Sequence, residues 1–479
     1  MADLTVDIVV LGWGKAGKTL AGALGRQGKR VALVERSAEM AGGSCININC
    51  VPTKALVHDS GMLMGAIVNA NANANAPSEA GDSIRRFASS VARRDTLVEK
   101  LRARNRALLD EVDMITLVQG QARFTAPRRI EVSAGHDRLL ISAETVVVNT
   151  GTVPAMPAVA SDAARHGRLH DSTSIQHVDP LPERLVIVGG GYVGLEFAGM
   201  FAGFGSGVVL LDRHDGFMRG EDRDVADAVR ALLEERGVEV VLGAEVEAVD
   251  DTGDRAVVAY GTAGEAAHTR HVEADAVLFA TGRRPVTDDL GLDAAGVTTD
   301  DRGFIVVDDR LRTSAEGVFA VGDVNGGPQF TYVSLDDYRI VLDQLTGDGS
   351  RSTRDRAAVP STIFLTPPLA RVGMNETEAR ESGRDVLVAV KQVADIAAMP
   401  RPKIVGETHG LIKVVVDAAT DRILGATLFC VDAQEVINLV ALAMRAGVTA
   451  TELRDGIWTH PSSTEALNEV LGDLRPLTW

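Results

Sequence analysis

Cysteine is scarce in this chain, with three residues in 479, at positions 45, 50 and 430. A disulfide-stapled scaffold needs more, so stability has to come from buried apolar cores. Long apolar runs are absent too. No stretch approaches the ~18 residues needed to cross a bilayer. The opening Met1-Ala2-Asp3-Leu4-Thr5-Val6-Asp7 has neither the basic start nor the apolar segment of a secretion signal. The expectation is a cytoplasmic protein with no membrane partner. Positive charge is in the minority: Lys plus Arg number 49 against 66 Asp plus Glu, a formal charge of −17. That balance argues against nucleic acid and anionic lipid as main partners, while leaving room for a local basic pocket.

The chain does have length and pattern. Its 479 residues exceed one core and suit two to four domains. Val6 to Leu11 is a β-branched apolar run ending in glycines, and Val31 to Val34 is a second, with a helix-compatible stretch between. The same strand–turn–helix–strand pattern returns from Leu185 to Val188 and from Val208 to Leu211. Two βαβ units predict an α/β chain with two nucleotide-binding domains. Val68 to Ala80, VNANANANAPSEA, reads as a loop, and Ser83 to Leu109 as a long charged amphipathic helix. Beyond about residue 350, strands over Ile363–Leu365, Leu411–Val416 and Leu424–Phe429 and a helix over Ala433–Ala446 predict a third, α+β domain.

The first βαβ unit carries Gly12-Trp13-Gly14-Lys15-Ala16-Gly17. Gly12 allows the tight turn, Gly14 lets backbone approach a pyrophosphate, and Gly17 lets the helix pack on the strand. Glu35 closes the second strand, where an acidic residue holds a ribose. The second unit repeats the device at Gly189, Gly191 and Gly194, with Asp212 at the ribose position. Two dinucleotide sites in one chain suggest an electron relay.

Gly42-Gly43-Ser44-Cys45-Ile46-Asn47-Ile48-Asn49-Cys50-Val51-Pro52-Thr53-Lys54 is the most informative segment. Cysteines five positions apart meet only if the chain curls, and Asn47 and Asn49 tolerate left-handed backbone. Pro52 suits a first helical turn, which would put Cys50 at a helix N-terminus that favours a thiolate. A zinc site would need two further ligands, and no nearby His or Cys supplies them, so no metal site is expected. Cys430, single in an apolar strand, reads as a core residue.

This segment resembles the redox-active signature of the class I pyridine nucleotide-disulfide oxidoreductases, the family of glutathione reductase, lipoamide dehydrogenase and mercuric reductase. Other landmarks of that family follow in order. They are Asn149-Thr150-Gly151-Thr152, Ala280-Thr281-Gly282-Arg283-Arg284-Pro285, Phe319-Ala320-Val321-Gly322-Asp323 and His460-Pro461-Ser462-Ser463-Thr464-Glu465. The resemblance implies FAD and NAD(P) domains of glutathione reductase type and an α+β dimerisation domain. Their segments would be 1–152 and 281–350 for FAD, 153–280 for NAD(P) and 351–479 for dimerisation. It implies FAD contacts at Gly12, Gly14, Gly17, Glu35, Gly43, Ser44, Lys54, Ala122, Thr150, Gly151, Gly322 and Asp323. NAD(P) contacts are implied at Gly189, Gly191, Gly194, Asp212, Arg213, Val246 and Gly282. Cys45 would be the interchange thiol, Cys50 the thiol at the flavin, Lys54 and Glu196 an ion pair beside it. His460, oriented by Glu465, would be the acid/base serving the other subunit of a homodimer.

Within the family, Trp458 stands where lipoamide dehydrogenases and glutathione reductases carry a second histidine, and Leu474 to Trp479 lack the cysteine pair of mercuric reductases. The stretches Trp13–Thr19, Pro52–Asp59, Gln329–Arg339 and Leu365–Met374 are similar to a narrower, mercuric reductase-like group of bacterial flavoproteins associated with reactive-chlorine resistance. The expected substrate is a small oxidant, hypothiocyanous acid, or a soft metal ion, copper(II) or mercury(II), reduced with NADH or NADPH. A reductase for low-molecular-weight disulfides or dihydrolipoamide is the alternative enzyme. A flavin redox sensor without turnover is the alternative of another class.

Overall fold

β1 (Ala2–Leu11) alternates polar and apolar as far as Asp7, with Asp3 and Thr5 exposed, and becomes continuously apolar over residues 8–11, which are buried on both faces. Val9 and Leu11 enter one core with Ala32, Val34, Val146 and Val148. Ile8 and Val10 enter the opposite core with Leu20, Leu24, Val31 and Leu33. α1 (Lys15–Arg26) crosses over and β2 (Val31–Glu35) pairs parallel to β1, completing the first βαβ unit. α2 (Ser44–Asn47), α3 (Cys50–Asn71) and α4 (Ala80–Asp110) follow. Then come β3 (Ile115–Gln119), β4 (Gln121–Ala126), β5 (Arg129–Ala134) and β6 (Asp137–Val148). The sheet order is β3-β2-β1-β6-β5-β4, and the strand Val318–Ala320 lies parallel beside β6. Residues far along the chain therefore return to the sheet that the N-terminus starts.

The computed structural model describes residues 2–71, 80–161, 167–262 and 269–477. They divide into two units, the first comprising Met1–Ala55, Ser90–Ala155 and Gly282–Arg356. The second comprises Leu56–Ser89, Met156–Thr281 and Ala357–Trp479. In it, Arg184–Val188, the helix Tyr192–Phe204 and Gly207–Asp212 form the second βαβ unit of a five-stranded parallel sheet. An antiparallel three-stranded sheet, Ala244–Asp251, Ala256–Thr262 and Arg270–Ala274, accompanies it. A six-stranded antiparallel sheet between Ser361 and Pro476 packs on the helix Ala433–Ala446. Among the described residues no helix is long and apolar enough to cross a membrane.

Two sequence expectations are corrected here. The strand expected over Ile363–Leu365 is Ser361–Ile363, because the Leu365 N–H turns back onto the Ile363 carbonyl and ends the extended run. The loop expected over Val68–Ala80 is helical to Asn71, and α4 already begins at Ala80. Alanine-rich composition sustains a helix even where asparagine disfavours one. Residues 72–79 lie outside the described residues.

Candidate active site

Gly12 turns the chain from β1 into α1 at φ +100°, and a Cβ there would stand 2.4 Å from the Asn149 carbonyl oxygen. Gly14 caps α1, and Gly14 and Gly17 both abut the Asn149 side chain. Asn149 accepts from Gly17 N (2.9 Å) and donates from Nδ2 to the Val321 carbonyl (2.7 Å). It thus joins α1, the end of β6 and the turn before Gly322. Its motif was visible in the sequence, but this joining role was not.

Glu35 ends β2 and accepts from Trp13 N (3.1 Å) and Ser37 N (3.2 Å). Burial raises its carboxyl above the ordinary range, and those two N–H bonds oppose the shift. Trp13 Nε1 is buried with no acceptor among the described residues. A cavity of about 500 Å³ lies nearby in sequence terms, lined by Arg36, Gln119, Gly120, Gln121, Ser133, Ala134 and Gly135. Ala122, which follows Gln121 on β4, is buried in the core. A helix N-terminus for phosphate and a carboxylate for ribose fit the adenosine half of FAD.

At the other end of the first unit, Thr150 Oγ1 donates to the Val286 carbonyl (2.8 Å) and Gly151 has φ +68°. Thr152 Oγ1 accepts from Arg283 Nε (2.8 Å) and donates to Asp323 Oδ2 (3.1 Å). Burial raises the Asp323 carboxyl, and the Arg283 charge opposes it. Asp337, which the sequence reading did not single out by role, is buried and accepts from Gly322 N (2.6 Å). Arg356 in turn holds Asp336 and Asp337.

The cysteine segment lies directly on the first dinucleotide turn, where a Cβ on Gly43 would meet the Gly14 Cα at 2.7 Å. The chain does curl between the cysteines, but not through left-handed asparagines. Positive φ falls on Gly42 (+99°) and Gly43 (+81°), while Asn47 is helical in α2. Asn47 is buried, donates to the Ala41 (3.0 Å) and Gly43 (2.9 Å) carbonyls and accepts from Arg102 Nε (2.9 Å). The Ser44 carbonyl takes the Ile48 (2.9 Å) and Asn49 (2.8 Å) N–H groups and closes the turn. Side-chain and backbone bonding offered a local alternative that left-handed backbone did not have to supply.

Cys50 starts α3, with Pro52 in the first turn where no N–H is missed. The structure holds Cys45 and Cys50 as thiols within hydrogen-bonding reach of each other. Cys50 Sγ also lies 3.5 Å from Thr331 Oγ1, at the N-terminus of the helix Thr331–Thr346. The bond to Cys50, then burial, push the Cys45 thiol far up, while Thr331 and Lys18 pull it down. Lys54 is half-buried in the first turn of α3. Thr331 sat inside a quoted stretch of sequence, but nothing in the sequence marked it as a thiol's neighbour.

In the second unit, Gly189, Gly191 and Gly194 make the second turn, with Gly191 capping the helix Tyr192–Phe204. Asp212 ends the strand Gly207–Asp212 and is buried. Its Oδ1 accepts from His214 N (3.2 Å) and Nδ1 (2.9 Å), and its Oδ2 would lie 2.4 Å from a Cβ on Gly190. Arg213 is exposed, and Val246 is half-buried on the strand Ala244–Asp251. Gly282, read from the sequence as a nicotinamide-nucleotide contact, groups with the first unit, where its carbonyl accepts Ala155 N (3.0 Å). Glu196 is buried and accepts from Phe364 N (2.9 Å).

His460 and Glu465 form a dyad: Nδ1 donates to Glu465 Oε1 at 2.9 Å, and Ser462 N donates to Oε2 at 2.8 Å. With the proton on Nδ1, Nε2 is the nitrogen available to accept another. The His460 bond and the Ser462 N–H hold the Glu465 carboxyl below its ordinary value, against a small cost of burial. Cys430 follows the strand Ile423–Phe429 in the core, and burial pushes its thiol up to about 12, an inert residue.

Comparison with known proteins bears on this geometry. Residues 6–337 match the pyridine nucleotide-disulphide oxidoreductase family and residues 359–471 its dimerisation domain. The chain is 43% identical to the probable pyridine nucleotide-disulfide oxidoreductase RclA of Escherichia coli (strain K12), over 96% of this chain and 98% of that one. It is 32% identical to a mercuric reductase of Lysinibacillus sphaericus, over 96% of this chain and 81% of the relative. With a dihydrolipoyl dehydrogenase of Geobacillus stearothermophilus it shares 30%, over 97% and 95%. The solved Cu(II) complex of the HOCl-induced flavoprotein disulfide reductase RclA from Escherichia coli superimposes with a TM-score of 0.89 at 42% identity, covering 98% of this chain and 99% of that one. Members of the family use FAD and NAD(P)H. The chain belongs to the pyridine nucleotide-disulphide oxidoreductases, as a FAD flavoprotein with a redox-active cysteine pair and a C-terminal dimerisation domain.

Proposed function

We propose that this flavoprotein passes electrons from NADH to the Cys45–Cys50 pair, which reduces a small oxidant such as hypothiocyanous acid, in defence against reactive chlorine. The observation that carries the reading is the cysteine pair itself, with Cys50 at a helix start against Thr331 and the Cys45 thiol pushed up by its bond to Cys50 and by burial. FAD, when bound, supplies the two-electron link between nicotinamide and disulfide; Gly12, Glu35 and Asp323 would hold it. The Lys54 and Glu196 roles beside the flavin rest on the family resemblance.

The residues account for the rest of the chemistry. The Cys45 thiolate attacks the sulfur of hypothiocyanous acid, an S–S bond forms and hydroxide leaves, taking a proton from His460. Cys50 then attacks Cys45 Sγ and thiocyanate leaves, so the pair loses two electrons and the oxidant gains them. Glu465 keeps the His460 proton on Nδ1. A pure binding module without turnover would need none of these residues. RclA being HOCl-induced, and having been solved with Cu(II), supports a small oxidant or soft metal ion as acceptor. The dihydrolipoyl dehydrogenase likeness supports the second reading, a low-molecular-weight disulfide.

Asp212 favours NADH, because its buried carboxylate meets the fingerprint turn and would repel a 2′-phosphate. Steady-state oxidation of NADH and NADPH with hypothiocyanous acid, copper(II), mercury(II), glutathione disulfide and lipoamide tests all of this. The expected result is fastest turnover with hypothiocyanous acid and several-fold better kcat/KM for NADH. Faster turnover with lipoamide or glutathione disulfide would refute the first reading, and a preference for NADPH would refute the nucleotide assignment.

A further inference from the structure

One side of the helix Thr331–Thr346 carries Thr331, Ser334 and Asp337 at three-residue spacing. Thr331 meets Cys50, and Ser334 Oγ accepts from Ala16 N (3.2 Å) in the first turn of α1. Asp337 is the last of the three and only 1% exposed. Its Oδ2 accepts from Gly322 N (2.6 Å) and from Asn325 Nδ2 (3.5 Å), the first and last residues of the turn Gly322–Asn325. Its Oδ1 takes the Arg356 guanidinium, which also holds Asp336 Oδ2 (2.8 Å). All of these residues belong to the first unit.

A carboxylate so buried is tolerated only where its bonds are made. What these bonds hold is a segment that would otherwise be loose. Gly322 has φ +71°, and a Cβ there would stand 2.9 Å from both Asn149 Nδ2 and Ser334 Oγ, so no side chain can stiffen it. Glycine loses more freedom on ordering than any other residue. A bond that orders it within the protein lowers the cost a ligand has to offset on binding. Asp323 is the second residue of this turn. We propose that Asp337 is a positioning residue for the flavin: by fixing both ends of Gly322–Asn325 it holds Asp323 ready for the cofactor. The group has to be a carboxylate. Donors face both of its oxygens, and an amide at 337 would turn its own N–H groups toward one set of them.

The proposal rests on Asp323 meeting FAD, and the test separates the two. The FAD-loaded enzyme is diluted, free FAD is separated by ultrafiltration over time, and far-ultraviolet circular dichroism follows the fold in the same samples. Asp337→Ala should release FAD at least about tenfold faster while staying folded, because a buried N–H loses a charged acceptor. Asp337→Asn should release it at least about threefold faster, and it carries the test if the alanine variant does not fold. Lys413 is buried in the second unit, and its partners Asp222, Asp224 and Glu376 lie there too. Lys413→Met, which loses stability away from the turn, should therefore release FAD at the parental rate. Parental release from Asp337→Asn, or from a folded Asp337→Ala, overturns the proposal. Equally fast release from Lys413→Met also overturns it, by tracing the effect to lost stability alone. Parental release from Asp323→Ala removes Asp323 from the flavin and the proposal with it. Fast release from Asp323→Ala beside parental release from Asp337→Asn removes the proposal alone.

Discussion

Cys50 begins a 22-residue helix and lies against the hydroxyl at the start of a second one. Helix N-termini stabilise negative charge, so the thiolate of the reduced pair is expected on Cys50. Cys45 sits in a single-turn helix, and its bond to Cys50, then burial, push its thiol up. Replacing Cys45 by Ser should therefore leave a flavoprotein with a long-wavelength thiolate-to-flavin absorbance and little turnover. Replacing Cys50 by Ser should abolish that absorbance. Spectra of the two reduced variants decide it, and the opposite pattern would reverse the two roles. The spacing of the cysteines was legible because five residues with Pro52 behind them leave few ways to meet. Asn47 was legible as a turn residue but not as a buried hub, since its partner Arg102 lies 55 positions away.

Lys413 lies within the strand Leu411–Asp417 and is only 2% exposed, a place an ammonium occupies only when paired. Its Nζ meets Asp222 (3.1 Å) and Asp224 (2.8 Å), at the start of the helix Arg223–Glu235, and Glu376 (2.9 Å) of the helix Glu376–Glu381. Asp222 also accepts the Glu376 (3.0 Å) and Thr377 (3.1 Å) N–H groups, so three elements close on one cluster. Burial works against the ammonium, yet Asp224 and Glu376 hold Lys413 above its ordinary value. Burial likewise works against Asp222 and Glu376, yet their bonds hold both below theirs. The carboxylates' share of stability is present above the unfolded carboxylate range and is lost as pH falls through their lowered values. The lysine's share is lost only as pH rises past its raised one. Lys413→Met should cost about 3–5 kcal/mol near neutral pH, because three carboxylates lose their counter-charge. The deficit should shrink as pH falls below the ordinary carboxylate range, where the variant's uncompensated carboxylates take up protons; thermal unfolding of parent and variant at neutral and at acid pH checks it, and an equal deficit at both would count against the cluster. The sequence shows Leu411–Val416 as a strand because apolar residues dominate it, but its lysine reads there only as an interruption. The partners stand 191, 189 and 37 residues away, and no local pattern encodes such pairings. The end of β1, residues 8–11, and residues 31–34 of β2 were legible for the converse reason: burial on both faces writes itself as an unbroken apolar run.

At the scale of the whole molecule, the His460–Glu465 dyad stands at the surface, with 72% of the His460 side chain exposed. Three positions before it, Ile457 is 99% exposed. Single exposed apolar side chains are ordinary. An almost bare isoleucine beside an acid/base pair, within the segment that matches a dimerisation domain, is what a face covered by a second copy would leave bare in one chain. In a twofold dimer His460 can then serve the thiols of the other chain. Cys45→Ser and His460→Ala homodimers should each be slowed by about a hundredfold or more toward an alkyl disulfide, whose thiolate leaving group needs a proton. Toward hypothiocyanous acid the His460→Ala loss should be smaller. The two variants differ in what mixing does. A heterodimer carrying one lesion per chain keeps one complete site if His460 acts across the interface, and none if it acts within its own chain. Statistical exchange makes about half of the dimers heterodimeric, so the mixture should recover about a quarter of parental activity. Recovery measured after co-expression or subunit exchange supports the crossed arrangement. A mixture no more active than its parents, with heterodimer formation verified by mass, would place His460 on its own subunit's thiols and leave the exposed dyad without its assigned task.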